Sequence, residues 1–494
     1  MNIIIVGGGT AGWMSAAALA KQGHEVTIFR GNEPIGVGES TTPHIDQYLK
    51  YMGISDEDFL RATRGTYKSS SRFVDFYKKG HVFHYPNGQS DQEIDVPFDH
   101  WMQAKRYYPD QTPPFAEFFQ PFVGVAEDGK LPLKDPLLEP YDLSKDRSFH
   151  IDGSKFAAYL QENFCSNVRV DDRKVTSVRY NGDRISSLFL ERGPYDNRAP
   201  QTDADFYIDC TGQASTLGGA QSQWVEYDTI LPDTALVTRR EYSDKDKEMV
   251  PYTQAKGMNA GWKWTIPTWD YISEGYVYSS KHITEEEARQ EFGDGNIIKF
   301  RNGRYEDAWV GNCVKIGLSY GFIEPLESTS LFNTGTGILT LCDLLEEGEP
   351  GSFARDRFNT SLREHMDGWR EFVEAHYYYS ARRDTPFWED VTCNVKYEQL
   401  HNYNQYFAQG SSAHDVIGYY AISGEPIDVK DPIFYIYAGS EFSNVRKRHV
   451  DYFKTGTSVD EYTVAMWYDH NQRRHRLAES MPSMHKYLKD TVFS

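Results

Sequence analysis

A chain of 494 residues with 39% hydrophobic and 25% charged side chains has the balance of a soluble globular protein, with room for two or three domains or one large interleaved α/β body. Its 72 acidic against 52 basic side chains leave a net charge of −20, which repels phosphate backbones and anionic lipid, so neither nucleic acid nor a membrane surface is an expected partner. Five cysteines without C-x-x-C spacing argue against a disulfide framework and a zinc site; they fit a reducing, cytoplasmic compartment, and no metal is expected.

At the N-terminus, Asn2 to Val6 is a β-branched run that reads as a buried parallel strand. Glycines follow it, then an alanine-rich helix over Trp13 to Gln22 and a second strand over Glu25 to Phe29. Three glycines and the lack of a basic start exclude a signal peptide, and no apolar run reaches membrane-spanning length. Residues 80–145 are rich in Pro, Tyr and Phe without a period, and read as loops and short elements. Asp152 to Asn163 has helical spacing, Asn167 to Tyr180 and Ile185 to Leu190 strand character, and Ala204 to Asp209 is a strand ending in the turn Cys210-Thr211-Gly212. From about residue 336 the pattern turns helical, over Ile338 to Leu345, Ser352 to Ala375 and Val459 to Tyr468.

Gly7-x-Gly9-x-x-Gly12, between a strand and a helix, is the setting of a dinucleotide-binding turn: the glycines allow a tight bend and close approach of backbone to pyrophosphate, and the helix start offers N–H groups to it. The acid expected at the end of the second strand to hold ribose is absent. Arg30 stands there, with Glu33 three residues on, so either Glu33 substitutes or the ribose is held otherwise, and a 2′-phosphate (NADP) reading stays open.

Four further segments carry a resemblance. They are Trp262-Lys263-Trp264-Thr265-Ile266-Pro267, the stretch from Trp309 to Leu318 running on through Glu324-Pro325-Leu326-Glu327-Ser328-Thr329, Lys68 in Thr66-Tyr67-Lys68-Ser69, and Gly36-Val37-Gly38-Glu39-Ser40-Thr41-Thr42-Pro43. Together with the glycine turn, they resemble the flavin-dependent halogenases, the group that includes the tryptophan halogenases. The resemblance implies an α/β, flavin-monooxygenase-like fold: a Rossmann-type FAD-binding body over 1–350, with 75–145 inserted over its sheet, and a mostly helical substrate-side module over 351–494. It implies FAD, delivered as FADH2 by a separate reductase, with Gly7, Gly9, Thr10, Ala11, Gly12, Glu39, Ser40, Thr41, Val175, Leu318 and Leu331 as its contacts. It also implies a halide (chloride, bromide or iodide) held by the backbone N–H groups of Thr329 and Ser330; family members commonly carry Gly at the latter position, so Ser330 narrows or rearranges the halide site.

The chemistry implied is oxidation of halide to hypohalous acid at the flavin and its relay by Lys68, as hydrogen-bonded acid or haloamine, to an electron-rich ring. An ammonium donor polarises the hypohalite oxygen, and an amine withdrawn from water sheds its proton more readily. Glu327 is the second catalytic candidate, placed to stabilise the cationic ring or take its proton; on bland grounds it is a glutamate at a helix start. Lys68, read without its neighbours, is a solvated surface lysine. Trp262 and Trp264, on alternate positions of a strand, point the same way and form a barrier between flavin and substrate. Without one, flavin-activated oxygen would enter the ring directly.

The loop Phe83-His84-Tyr85-Pro86-Asn87-Gly88 resembles the one that supplies a His and a Phe to sandwich the indole of free tryptophan, but this chain has Tyr85 and Asn87 at those two positions. Phe83, Tyr85 and Asn87 are therefore the substrate-side candidates, and the expected substrate is a small indole- or phenol-like aromatic rather than strictly free tryptophan. Two other classes fit parts of the pattern: an FAD-dependent aromatic hydroxylase, which shares the glycine turn and the strand before Cys210, and a non-catalytic FAD-binding protein. The residues carry no signal for oligomeric state.

Overall fold

The computed structural model describes residues 1–31, 38–87, 94–192, 201–346, 348–398, 400, 430–440 and 459–494. Glu33, Gly36, Val37 and Gly88, named above, lie outside the described residues. The chain divides into two compact units, each assembled from three separated stretches: Met1–Gly65, Ile151–Asp228 and Phe300–Asp367 in the first, Thr66–His150, Thr229–Lys299 and Gly368–Ser494 in the second.

The first unit is built on a six-stranded sheet with the order Trp309–Val310, Cys313–Lys315, Phe206–Asp209, Asn2–Val6, Glu25–Phe29, Arg169–Asp171. All neighbours run parallel except the edge pair Trp309–Val310 and Cys313–Lys315. The central strand is buried on both sides, with Ile3, Ile4 and Ile5 at 2% exposure or less, which is why it reads as a continuous β-branched run. The helix Thr10–Lys21 lies against it, and its alanines allow close approach. This strand–turn–helix–strand start on a parallel sheet is Rossmann-type. The strand expected over Asn167 to Tyr180 is two, Arg169–Asp171 and Val175–Asn181: Asp171 turns the chain by accepting from Arg173 N at 3.0 Å. Val175–Asn181 pairs instead with Arg184–Leu190.

The second unit carries a seven-stranded sheet ordered Asn296–Lys299, Thr234–Arg240, Ile272–Tyr278, Gly261–Pro267, Tyr252–Gly257, Ser70–Val74, Val82–Pro86. Every pair is antiparallel except Tyr252–Gly257 with Ser70–Val74. The register places Trp264, Ala255, Phe73 and Phe83 side by side on one face. Among the described residues of the stretch that showed no period are three α-helices, Asp95–Tyr107, Phe115–Phe119 and Phe122–Glu127. They are held by aromatic contacts such as Phe98 with Phe115 and Trp101 with Phe115, which follow no heptad or strand rule. Two later helices also begin or end away from their sequence limits: Ser330–Leu345 starts eight residues before the expected Ile338, and Glu461–Ala478 runs ten past Tyr468.

Candidate active site

In the first unit the three glycines of the turn meet three different demands. A Cβ on Gly7 (φ +117°) would lie 2.1 Å from the Cys210 carbonyl oxygen, and one on Gly12 would lie 1.8 Å from the Gly7 carbonyl oxygen. Both positions are filled by the protein's own backbone. A Cβ on Gly9, by contrast, meets nothing within 4 Å. Gly9 is also the N-cap of the helix Thr10–Lys21 and supplies no side-chain cap, so the N–H groups of the first turn face an open cradle of the kind a pyrophosphate fills. The turn is fixed from behind by Gly7 N–H on Phe29 O (2.8 Å) and Gly8 N–H on Arg30 O (2.9 Å). These residues fit FAD. Arg30 itself donates to Asp172 at 2.7 Å at the surface, so its guanidinium already has a carboxylate partner.

Glu39, Thr10 and two residues the sequence reading did not single out, Asp152 and Gly153, come together beside that helix start. The carboxyl of Glu39 packs where a Cβ on Gly153 would sit, 1.9 Å from Oε1, and Thr10 Oγ1 donates to Gly153 O at 3.3 Å. Enclosure by protein, then the negative charge of Asp152, pushes Glu39 up to about 7. A carboxyl poised there near neutral pH both gives and accepts hydrogen bonds, which suits a sugar hydroxyl. Ser40 ends the same short strand, Gly38–Ser40, and Thr41 follows it, fully buried.

The segment from Trp309 onward folds as a strand, Cys313–Lys315, a tight turn at Gly317 (φ +67°), and a single helical turn, Pro325–Glu327. Ser328 then adopts the left-handed conformation (φ 59°, ψ 31°), and Thr329 returns to right-handed values as the N-cap of the 16-residue helix Ser330–Leu345. A non-glycine residue held at positive φ costs about 1–3 kcal/mol. What the strain provides is a left-then-right-handed backbone pair leading directly into a helix start, the arrangement that gathers successive N–H groups around an anion. A cleft beside it is lined by Leu318, Tyr320, Ile323, Thr329, Ser330 and Asn333 among others, so the structure brings Leu318, Thr329 and Ser330 to one place. Leu318 is 38% exposed there, unusual for a leucine and suited to covering a flat ring. Leu331 is buried in the helix, Val175 packs on the cluster around Ile4 and Val6, and Glu327 is buried at 3% exposure. Asn302, which no motif marks, accepts from Glu324 N–H at 2.9 Å and holds the start of this turn.

In the second unit, Trp262 and Trp264 are both buried and share a face of Gly261–Pro267, ring centroids 6.2 Å apart. Gly275 lies opposite Trp264 and makes room for its indole, whose Nε1 donates to Ser273 Oγ at 3.3 Å. Lys68 is 1% exposed, which rules out the solvated-lysine reading. It ends the strand Thr66–Lys68, paired antiparallel with Ser148–Asp152. That three-residue strand is tied on several sides. Thr66 Oγ1 donates to Pro267 O at 2.6 Å, at the end of the tryptophan strand, Ser69 N–H donates to Pro251 O at 2.7 Å, and Asn87 Nδ2 reaches Lys68 O at 3.4 Å.

Asn87 donates more closely to Ser148 Oγ, at 2.6 Å, and is buried. Phe83 stacks on Phe73 (4.9 Å, 14°) and against Gly439. Tyr85 is half-buried and touches the rings of Phe372 (5.2 Å) and Tyr435 (5.9 Å). On the opposite face of the same strands His84 bridges Ser70 Oγ (2.9 Å) and Glu127 (2.7 Å). Burial raises the Glu127 carboxyl, but hydrogen bonds from Arg72 and His84 outweigh it and hold it at about 2. Among the described residues no cluster of His, Cys, Asp and Glu is arranged to hold a metal ion, and no helix is long and apolar enough to cross a membrane.

The glycine cradle, the left-then-right-handed turn before Ser330, the buried Lys68 and the paired tryptophans each lie in a segment of the family pattern. Comparison with known proteins decides the matter: the family profile "Tryptophan halogenase" matches residues 2–434. The chain belongs to the tryptophan halogenase family. It is a flavin-dependent halogenase. This halogenase is 30% identical over 424 residues to tryptophan 6-halogenase ThaL of Streptomyces albogriseolus, covering 78% of each chain. Its fold superposes on the VirX1 apo structure with a TM-score of 0.87 at 31% identity, over 100% of this chain and 99% of the other. On BrvH, a flavin-dependent halogenase from Brevundimonas sp. BAL3, the TM-score is 0.81 at 28% identity, over 99% of both chains.

Proposed function

We propose that this halogenase delivers an electrophilic halogen from Lys68 to a small, electron-rich aromatic substrate, indole- or phenol-like, and is not restricted to free tryptophan. When bound, reduced FAD with O2 supplies the two-electron oxidation that turns a halide ion and a proton into hypohalous acid and water. Gly9, Thr10, Ala11 and Gly12 would hold its pyrophosphate, Glu39 and Thr41 its sugar side, and Leu318 its ring. The N–H groups of Thr329 and Ser330 would hold the halide.

The observation that carries the relay is the burial of Lys68 on a strand anchored to the carbonyl of Pro267, the last residue of the tryptophan motif. Burial withdraws the amine from bulk water, the setting in which it can hold an oxidised halogen without losing it to solvent. Hydrogen-bonded to the amine, or bound to it as a haloamine with loss of water, the halogen meets the ring as an electrophile. The ring carbon gains the halogen and loses a proton, for which Glu327 is the acceptor. The substrate class follows from Asn87 and Tyr85. Asn87 is taken up by Ser148 and the Lys68 carbonyl and offers no ring, so a two-sided indole clamp has only its Tyr85 side.

The test is mass spectrometry of tryptophan, simple indoles and simple phenols incubated with the protein, FAD, a separate flavin reductase, NADH and bromide. A bromine isotope doublet on indoles or phenols at rates above tryptophan supports the reading, and a clear preference for tryptophan defeats the substrate assignment. Lys68→Ala should abolish product while reduced flavin is still oxidised with release of hydrogen peroxide; wild-type bromination by that variant defeats the relay. Rapid NADPH oxidation by the protein alone would point to the hydroxylase instead.

A further inference from the structure

His150 stands opposite Thr66 in the pairing that carries Lys68, on the same strand face as Ser148, the partner of Lys68 itself. It is 0% exposed. Two hydroxyls flank its ring, Thr66 Oγ1 at 3.0 Å from Nδ1 and Thr253 Oγ1 at 3.0 Å from Nε2. The Thr66 hydroxyl has one proton, and it is given to Pro267 O at 2.6 Å. Toward His150, Thr66 is therefore an acceptor, and Nδ1 must carry the proton. Burial first, then the positive charge of Lys68, holds the imidazole well below its ordinary pKa, opposed by the Pro267 carbonyl. The ring is neutral, Nε2 carries no proton, and the Thr253 hydroxyl donates to it. The three side chains then read in one direction: Thr253 to His150 to Thr66 to Pro267.

This position needs a side chain that is polar yet uncharged. A carboxylate would pair with the Lys68 ammonium and hold its proton there. An aliphatic group would remove the imidazole from two buried hydroxyls and leave Thr66 held by its bond to Pro267 alone. We propose that His150 is a positioning residue for the Lys68 amine, bracing the Thr66 hydroxyl that fastens the strand Thr66–Lys68 to Pro267 while placing no charge beside the amine. The inference rests on the relay role of Lys68 proposed above.

The experiment compares His150→Gln and His150→Leu with wild type and Lys68→Ala, using reductase-supplied FADH2, bromide and a simple indole. It reads kcat, KM for the indole, thermal midpoint, and brominated product against hydrogen peroxide per NADH consumed. His150→Gln keeps both hydrogen bonds without charge and is expected within about threefold of wild type, whereas His150→Leu should lose about tenfold or more in kcat at unchanged KM, with peroxide taking up the missing electrons. If His150→Leu does not fold, Thr253→Val, which removes one bond of the chain at nearly constant volume, is read against the same criteria, with a fall of about threefold or more expected. Wild-type coupling in the leucine variant (or in the valine variant in its place), or a glutamine variant as uncoupled as leucine, overturns the proposal. Product from Lys68→Ala at the wild-type rate removes the relay itself, whereas a dead Lys68→Ala beside a fully coupled His150→Leu removes the role of His150 alone.

Discussion

Replacing Gly275 by alanine puts the packing of the tryptophan barrier under direct test. The new Cβ would lie 2.1 Å from Cη2 and Cζ2 of Trp264 and 2.5 Å from Cε2, where ordinary contact begins near 3.4 Å. The indole must retreat by more than an ångström, yet it is 8% exposed and has Trp262 beside it. Gly275 does not occupy the left-handed region, so the cost comes from the ring and not from backbone strain. Overpacking of this kind costs about 1–3 kcal/mol. Losing the Trp264–Ser273 hydrogen bond, already long at 3.3 Å, adds up to about 1 kcal/mol. Urea unfolding followed by tryptophan fluorescence should therefore show about 1–4 kcal/mol of destabilisation, with an altered near-ultraviolet circular dichroism spectrum in the folded state. A variant within about 0.5 kcal/mol of wild type with an unchanged spectrum would mean that Trp264 is not confined in this way.

The glycine turn separates ligand space from packing space. Gly9→Ala should leave the thermal midpoint of the FAD-free protein unchanged and weaken FAD binding by about tenfold or more in a fluorescence titration, because its Cβ enters only the open cradle. Gly12→Ala should instead lower the midpoint without FAD present, since its Cβ meets the Gly7 carbonyl at 1.8 Å. At the other end of the chain, His475 lies between Glu117 (3.1 Å) and Asp128 (2.8 Å). The Glu117 hydrogen bond first, with Asp128 adding to it against the opposing effect of burial, raises His475 to about 9. A raised histidine contributes stability that is complete below its unfolded pKa near 6.5 and disappears as pH rises through 9. Unfolding midpoints measured from pH 6 to 9.5 should fall for wild type by the equivalent of about 1–2 kcal/mol and stay flatter for His475→Asn; parallel curves would contradict the assignment.

What the sequence revealed was what local chemistry determines. The glycine turn was legible because its spacing answers to one bend between one strand and one helix. The tryptophan pair was legible because alternation puts both rings on one face whatever the strand packs against. Lys68 carried no such signal, since burial depends on which strands flank it, and a three-residue strand has no period. His150, Asn302, Gly153 and Gly275 were invisible for the same reason: each matters through a partner 15 residues or more away in sequence, except Gly275, whose partner Trp264 lies across a hairpin whose register the residues alone did not reveal. The helix Ser330–Leu345 was read eight residues short because Gly335 and Gly337 blur its apolar spacing and because its N-cap, Thr329, makes no side-chain cap.

The division of the chain bears on how this enzyme can be taken apart. Each unit draws on three stretches of sequence, and the backbone passes from one to the other after residues 65, 150, 228, 299 and 367. Exchanging the tail from residue 368 onward with a relative would import one third of the pieces that make up the second unit and leave the lysine strand and the tryptophan strand native. Recombination aimed at new substrates must therefore cut at several of these crossings at once, or confine itself to point changes within a single stretch.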